Sequence, residues 1–543
     1  MPTIDQPILD VKSPWPSLPP GDGTAPVAKR ANFRRNAATE GSRFSQLFPI
    51  AARVVFHPGA VLFATIIAAT LLTPVSIHYA ASVVLLGLTA VFVSWDRRFL
   101  DSLLFTPNLI AARFAIMGGV IGCSFMASGM SDRYSPALLA VQASMMYWLV
   151  LSSLANRLCL GNVPGISMPW TNPHFKAECL RPLSVVALAI LSLELARQSI
   201  GIITGGLDRG MHGDEAARQA FGIWTYFSIF PRLTGTCMFL APVIWRVGLA
   251  PLKAIVVSMV GLILILGFST GSRGLFLAPI LYLFVGTYFF IPIRRFPLEA
   301  TVTAVILFVF VPLVLVMATY RSSEEFRQTA GWQVGERVRG FTRTATEAKS
   351  ELDEQATASQ DRYQFGVQMI GTADTIVYEK TPSEFPFVGF ENFDRVLYVW
   401  IPKFFVRDKP YLQDGNDIVV GYTGVFFKRS ASTISITADL YRRFGMPGFL
   451  FGVPLAALIT ALFTRWVYRV MLFRDAVLGI VMLQLILSPF QAGDLWSTLL
   501  GSSFEWLYAI PKHLVFIFVL VLGARLVTGV HVRRGMLAYP ERI

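Results

Sequence analysis

Runs of about 20 mostly apolar residues recur from Pro58 almost to the C-terminus, separated by short connections rich in Gly, Pro and charge. In hydrocarbon no water satisfies backbone N–H and C=O groups, so only helices and closed barrels cross it. Helices of this length match a bilayer core of about 30 Å. The feature predicts an all-α polytopic membrane protein. Composition agrees, with 54% of the 543 residues hydrophobic and 15% charged. About twelve spans are expected, near 59–77, 79–95, 108–130, 136–155, 183–203, 220–245, 254–270, 274–293, 299–319, 447–464, 476–490 and 512–530.

The formal charge of +13 points first toward nucleic acid, so its position matters. Residues 320–446 hold 16 Lys+Arg and 17 Asp+Glu, which leaves 31 basic and 17 acidic residues for the rest. The excess lies in short connections and tails: Arg97 and Arg98; Arg157, Lys176 and Arg181; Arg246 and Lys253; Arg294 and Arg295; Arg465, Arg469 and Arg474; Arg525, Arg533 and Arg534. The connections between them, such as 74–79 and 131–135, are nearly free of cations. This alternation is the positive-inside pattern, not a nucleic-acid patch. It predicts both termini in the cytoplasm and one large extracytoplasmic loop.

The organisation that follows has five parts. Residues 1–55 form a disordered basic cytoplasmic tail, and 56–319 carry transmembrane helices one to nine. The large outer loop is 320–446, helices ten to twelve occupy 447–530, and 531–543 is a cytoplasmic tail. The first apolar run starts too late for a cleavable signal peptide. The loop's first half is charged and predicted helical. Its second half, FPFVGFENFDRVLYVWIPKFFVRDKPYL, interleaves aromatics with cations, which suits the lipid headgroup level. Cys123, Cys159, Cys179 and Cys237 read as ordinary buried or reduced thiols, without disulfide or zinc spacing.

Charges inside or beside apolar runs are the candidates for chemistry, because their burial is costly. Glu194 and Arg197 stand i, i+3 on one helix face, as a structural pair or as the wall of a polar cavity. Arg232 follows Pro231 in the sixth span with no partner visible in sequence. Arg273 sits on the turn Gly271-Ser272-Arg273-Gly274, where it either snorkels or grips phosphate oxygens with its two-pronged guanidinium. With Arg321, Lys403, Arg407, Lys409, Lys428, Arg429, Arg442 and Arg443 it makes a cationic mouth at the outer face. The ligand implied is anionic and membrane-borne, and a lipid-linked pyrophosphate fits best. Asp439 reads as a catalytic base, a partner of Arg442 or Arg443, or an acid at a helix N-terminus. No phosphate-cradling loop, Ser/His/Asp order or HExxH is present, and no metal or cofactor is expected, although Asp408, Asp414 and Asp417 could be argued as ligands.

The segments TGSRG (270–274), IPKFFVRDKP (401–410) and DLYRRFGMPG (439–448), in this order and topology, resemble the Wzy-type repeat-unit polymerases of the O-antigen polymerase and ligase superfamily. The motifs cover some 40 residues; the architecture covers most of the chain. The family commonly has Glu at the position of Asp439 and Arg at that of Lys403. The resemblance implies a GT-C-like glycosyltransferase in the bacterial inner membrane, multi-pass, with residues 320–446 in the periplasm. It would join undecaprenyl-diphosphate-linked oligosaccharide repeats, donor and acceptor alike, into a surface polysaccharide or exopolysaccharide. Asp439 and Arg273 would be catalytic. Arg232, Arg321, Lys403, Arg407, Lys409, Tyr441, Arg442 and Arg443 would bind substrate. A chain-length regulator and a flippase are the candidate partners. Two rivals stand beside it. A ligase of the same superfamily usually carries a loop histidine, and none lies between His212 and His513. A transporter would show related halves and a midplane site, whereas here the halves look unrelated and the charge gathers at one face.

Overall fold

The computed structural model describes residues 63, 65–70, 77, 80–81, 83–85, 87–88, 136–160, 174–175, 177–203, 207, 234–247, 250–270, 273–291, 320, 324–329, 333–354, 372–398, 418, 421–422, 434–487, 498–530 and 537–538. All of them fall in one unit, Val61–Ile543. The predicted tail 1–55 and the spans near 108–130 and 299–319 lie outside these residues. The described helices that carry the site and its supports are α1 (Pro136–Leu160), α2 (Ala177–Ile203), α3 (Thr234–Leu240), α4 (Ala250–Ser269), α5 (Arg273–Phe290), α6 (Val334–Glu354), α7 (Thr372–Lys380), α8 (Ile436–Pro447), α9 (Val453–Arg469), α10 (Ala476–Leu487), α11 (Leu499–Phe504) and α12 (Ile510–Thr528). The described strands are a two-residue antiparallel pair, His174–Phe175 with Leu537–Ala538.

Among the described residues, four helices are long and apolar enough to cross a membrane: Cys179–Ile203, Ala250–Ser269, Ile436–Arg469 and Leu499–Thr528. Half of the α2 window is buried, against 22%, 17% and 28% for the other three. The reason is a stripe of Cys179, Leu183, Val186, Ala187, Ile190 and Leu191 at helical spacing, all fully covered. Helix α2 is thus the centre of the bundle, touching α3, α4, α10 and α12. The outer helices are apolar on both sides. On α9, Val453, Ala457, Ala461 and Thr464 are buried while Leu455, Leu458, Ile459, Leu462 and Trp466 are exposed. On α12, Val515, Phe518, Val519, Leu522 and Leu526 form a similar outward stripe. Contiguous apolar faces of this size are costly in water and neutral in hydrocarbon.

Helix α5 crosses α3 at backbone contact. A Cβ on Gly286 would stand 2.1 Å from the Phe239 carbonyl oxygen, so only glycine allows the approach.

Two helix starts differ from the sequence reading. The helix expected from 447 begins at Ile436, bends, and runs through a π-helical turn at Gly448–Gly452 into α9. The segment that ends at Thr528 begins at Leu499 rather than 512. In the first case, a span defined by apolar residues excludes DLYRR. Yet Ser435 supplies an extended N-cap (ψ 158) whose side chain accepts from the Ala438 N–H, and Asp439 follows in the first turn.

Candidate functional site

The sequence TADLYRRFG folds as a helical turn whose charges close on one another. Asp439 is fully buried, and both of its oxygens are occupied. Oδ1 accepts from Arg442 Nε at 2.8 Å, and Oδ2 from Arg443 Nε at 2.9 Å. Oδ2 also accepts from the Leu499 N–H at 2.7 Å, which ties α8 to the start of α11. Of the readings open for Asp439, this geometry is that of a helix-start acid paired with both arginines. Arg443 further donates to the carbonyls of Gly389 and Glu391, both at 3.0 Å, and lies 5.4 Å from the Phe393 ring centre. Arg442 and Arg443 are thus engaged within the fold rather than offered at a surface, at 7% and 2% exposure.

Pro447 explains why the loop 385–393 docks here. Proline has no N–H, so the Arg443 carbonyl loses its partner four residues on. The Gly389 N–H donates to it instead, at 2.9 Å, and the Val388 N–H donates to the Arg442 carbonyl at 3.3 Å. At Gly445 the chain leaves the helical region (φ 66, ψ −152). Such a backbone is essentially reserved for glycine, and a Cβ there would meet the Phe387 ring at 2.9 Å. The aromatics predicted for the headgroup level therefore dock on α8. Phe387 sits edge-on to Tyr441, and Phe390 packs on Phe444 at 4.9 Å.

Beside this turn lies a cavity of about 740 Å³, within the usual range of ligand sites. One wall is the small-residue face of α1, with Ala137, Ala140, Ala143 and Ser144; the other carries Tyr378, Glu379, Tyr441 and Phe449. Tyr147 stacks on Phe449 at 5.1 Å, and Tyr378 and Tyr441 pair at the same distance. The Tyr441 hydroxyl donates to the Thr381 carbonyl at 3.3 Å. Sequence reading found Tyr441 but not the rest of the lining, because the cavity is assembled from three stretches far apart along the chain, 136–147, 378–379 and 441–450.

A buried polar line connects the cavity wall to a second carboxylate that sequence reading missed. Asp374 Oδ1 accepts from the Ser435 N–H at 2.8 Å. Ser435 Oγ shares a hydrogen bond with Thr437 Oγ1 at 2.8 Å, and Thr437 reaches Ser144 Oγ at 3.5 Å. Burial pushes the Asp374 carboxyl up to about 6; the Ser435 hydrogen bonds oppose this and the Asp439 charge adds to it. The folded state therefore holds this proton more tightly than the unfolded chain does. The stability it confers is complete below the unfolded value near 3.8 and is lost as pH rises through about 6. Asp374→Asn keeps an oxygen for Ser435 without the buried charge. The variant is expected to melt higher than wild type at pH 7.5, by an amount equivalent to roughly 3 kcal/mol, with the difference shrinking toward pH 4. Melting of the detergent-solubilised protein across this range checks it, and parallel curves would rule the account out.

Two further clusters bear on the predicted site. Glu194, Arg197, Gln198 and Thr234 are all buried between α2 and α3. Glu194 accepts from Arg197 at 2.8 and 2.7 Å, from Gln198 at 2.9 Å, and from the Thr234 hydroxyl. This is the paired arrangement among the alternatives the sequence left open. Arg337 on α6 donates to the carbonyl of Ser269 and to that of Thr329, the latter at 2.6 Å, and lies over the Phe326 ring at 4.5 Å. It fastens a helix of the 320–446 segment to the end of α4, beside the turn from which α5 starts at Arg273. Arg232, Arg321, Lys403, Arg407 and Lys409, with Asp408, Asp414 and Asp417, lie outside the described residues, as does the side chain of Arg273. Among the described residues, no three His, Cys, Asp or Glu side chains gather as metal ligands.

No family model matches the sequence, and comparison with curated proteins and with solved structures likewise gives no match.

Proposed function

We propose that this chain is a membrane glycosyltransferase of the repeat-unit polymerase type. It joins lipid-diphosphate-linked oligosaccharides at the extracytoplasmic face of a bacterial inner membrane, through a GT-C-like bundle of about twelve spans. The observation that carries the reading is the meeting of DLYRRFGMPG with 374–393 around a tyrosine-lined cavity. Contacts between segments assigned to the same side of the membrane also support it. Ser269 meets Arg337, and Asp439 meets Leu499, all of them outer positions. Asp475 pairs with Arg525, and His174–Phe175 with Leu537–Ala538, all of them inner positions.

In this reading the leaving diphosphate is held by Arg273 with Arg232, Arg321, Lys403, Arg407 and Lys409, because fixed cations stabilise the charge that develops on it. Asp439, Arg442 and Arg443 hold the helical turn that carries Tyr441, and Tyr441 lines the cavity that would receive the substrate. The test is complementation of cells that lack their own polymerase. Long polymer on a gel is the expected product, and Arg273→Lys should reduce it, since lysine keeps the charge but loses the fork. Transfer of glycan to a different acceptor would make the chain a ligase. Export of unchanged lipid-linked repeats would make it a transporter.

A further inference from the structure

The cavity beside Tyr441 carries a charge pattern opposite to that of the predicted cationic mouth. Among its described lining residues Glu379 is the one charged side chain, so the pocket favours no diphosphate. Its other polar groups are the hydroxyls of Tyr147 and Tyr441, while the Ser144 and Tyr378 hydroxyls are buried. Tyr147 and Tyr441 donate to the Leu450 and Thr381 carbonyls and keep oxygen lone pairs for a further donor. Hydroxyls and a carboxylate together hydrogen-bond sugar hydroxyls, and the tyrosine rings offer apolar faces to the C–H face of a sugar ring. Its volume of about 740 Å³ admits one or two such rings. Glu379 is exposed, whereas the Asp439 carboxylate is sealed by Arg442, Arg443 and Leu499.

We infer that this cavity binds the non-reducing end of the acceptor glycan and that Glu379 is the catalytic residue that accepts the proton of its attacking hydroxyl. The inference rests on the polymerase reading. In the step, the acceptor oxygen forms a bond to the anomeric carbon of the donor glycan. The bond from that carbon to the diphosphate oxygen breaks, and its electron pair leaves with the lipid diphosphate. The hydroxyl proton passes to the Glu379 carboxylate and then to water. Glu379 stands one residue from Tyr378 on α7, which Asp374 locks to the start of α8 through the Ser435 N–H, so the carboxylate is carried on a fixed element.

The test uses the full chain in lipid nanodiscs, supplied with single lipid-linked repeats extracted from cells deleted for the polymerase; these serve as donor and acceptor. Glu379→Gln is expected to lower kcat about 100-fold, the scale of a lost general base, with KM nearly unchanged. Added formate should restore part of the rate to Glu379→Ala, which a purely structural role would not permit. Ala143→Trp, at an exposed position on the opposite wall, should raise KM for the repeat with little loss of kcat. An unchanged kcat in Glu379→Gln, or an unchanged KM in Ala143→Trp, overturns the assignment while the polymerase reading stands. Wild-type protein that joins no repeats overturns the polymerase reading and this assignment with it.

Discussion

Replacing Asp439 with asparagine is expected to deplete the protein from the membrane rather than to stall its chemistry. The carboxylate is fully buried and is the shared partner of Arg442 and Arg443, both nearly buried themselves. An amide offers one acceptor oxygen in place of two and turns its NH2 group toward a guanidinium. Breaking a buried pair by removing one partner costs about 3–5 kcal/mol, because the charge left behind stays unsolvated. A total stability of about 5–15 kcal/mol leaves little margin for that loss. The Leu499 N–H loses an ionic acceptor as well, which loosens α11 from α8. Size-exclusion profiles of a fluorescent fusion, with a melting curve, measure the effect. Tyr441→Phe is the companion control: it faces the cavity, gives up only a 3.3 Å bond to the Thr381 carbonyl, and should accumulate normally. If Asp439→Asn accumulates and melts like wild type yet stops at single repeats, Asp439 is the base after all.

The second large effect belongs to Glu194. It is the common acceptor for Arg197, Gln198 and Thr234 inside the bundle, and all four side chains are covered. Glu194→Leu leaves Arg197 as an uncompensated cation between α2 and α3, at a cost of about 3–5 kcal/mol. The double variant Glu194→Leu/Arg197→Met removes both charges, and buried pairs replaced by apolar residues of similar volume are often neutral or stabilising. It should therefore recover most of the lost melting temperature, and the double-mutant cycle should give a large coupling. A double variant as stable as wild type but inactive would give the pair a role in substrate handling. A single variant without effect on melting would mean that the buried pair does not hold α2 and α3 together.

Much of the scaffold was legible because hydrophobic periodicity is local. The run expected at 254–270 is the helix Ala250–Ser269, and that expected at 274–293 is Arg273–Phe290. Local too are the pairs Glu194–Arg197 and Asp439 with Arg442 and Arg443, since i, i+3 and i, i+4 spacing sets charges on one face before any tertiary contact forms. Even so, spacing left the role of Asp439 open. Spacing says which residues can meet, whereas burial and the Leu499 N–H, 60 residues away, show that its oxygens are already taken.

What the chain's linear order could not carry is the set of contacts that make a site. Asp374 meets Ser435 across 61 residues, Arg337 meets Ser269 across 68, and Ser144 meets Thr437 across 293. Each depends on which helices are neighbours in the bundle, and an all-round apolar helix gives no sign of which face meets which partner. Glu379 is the sharpest case. In sequence it is one more charge in a polar loop; beside α1 and Tyr441 it is the carboxylate of a cavity. The sequence by itself determined a membrane-spanning helical chain and its local ion pairs, because backbone satisfaction in lipid and helical spacing act within one segment. Only the tertiary structure decided which carboxylate is sealed and which is open, because burial depends on what the rest of the chain packs against it.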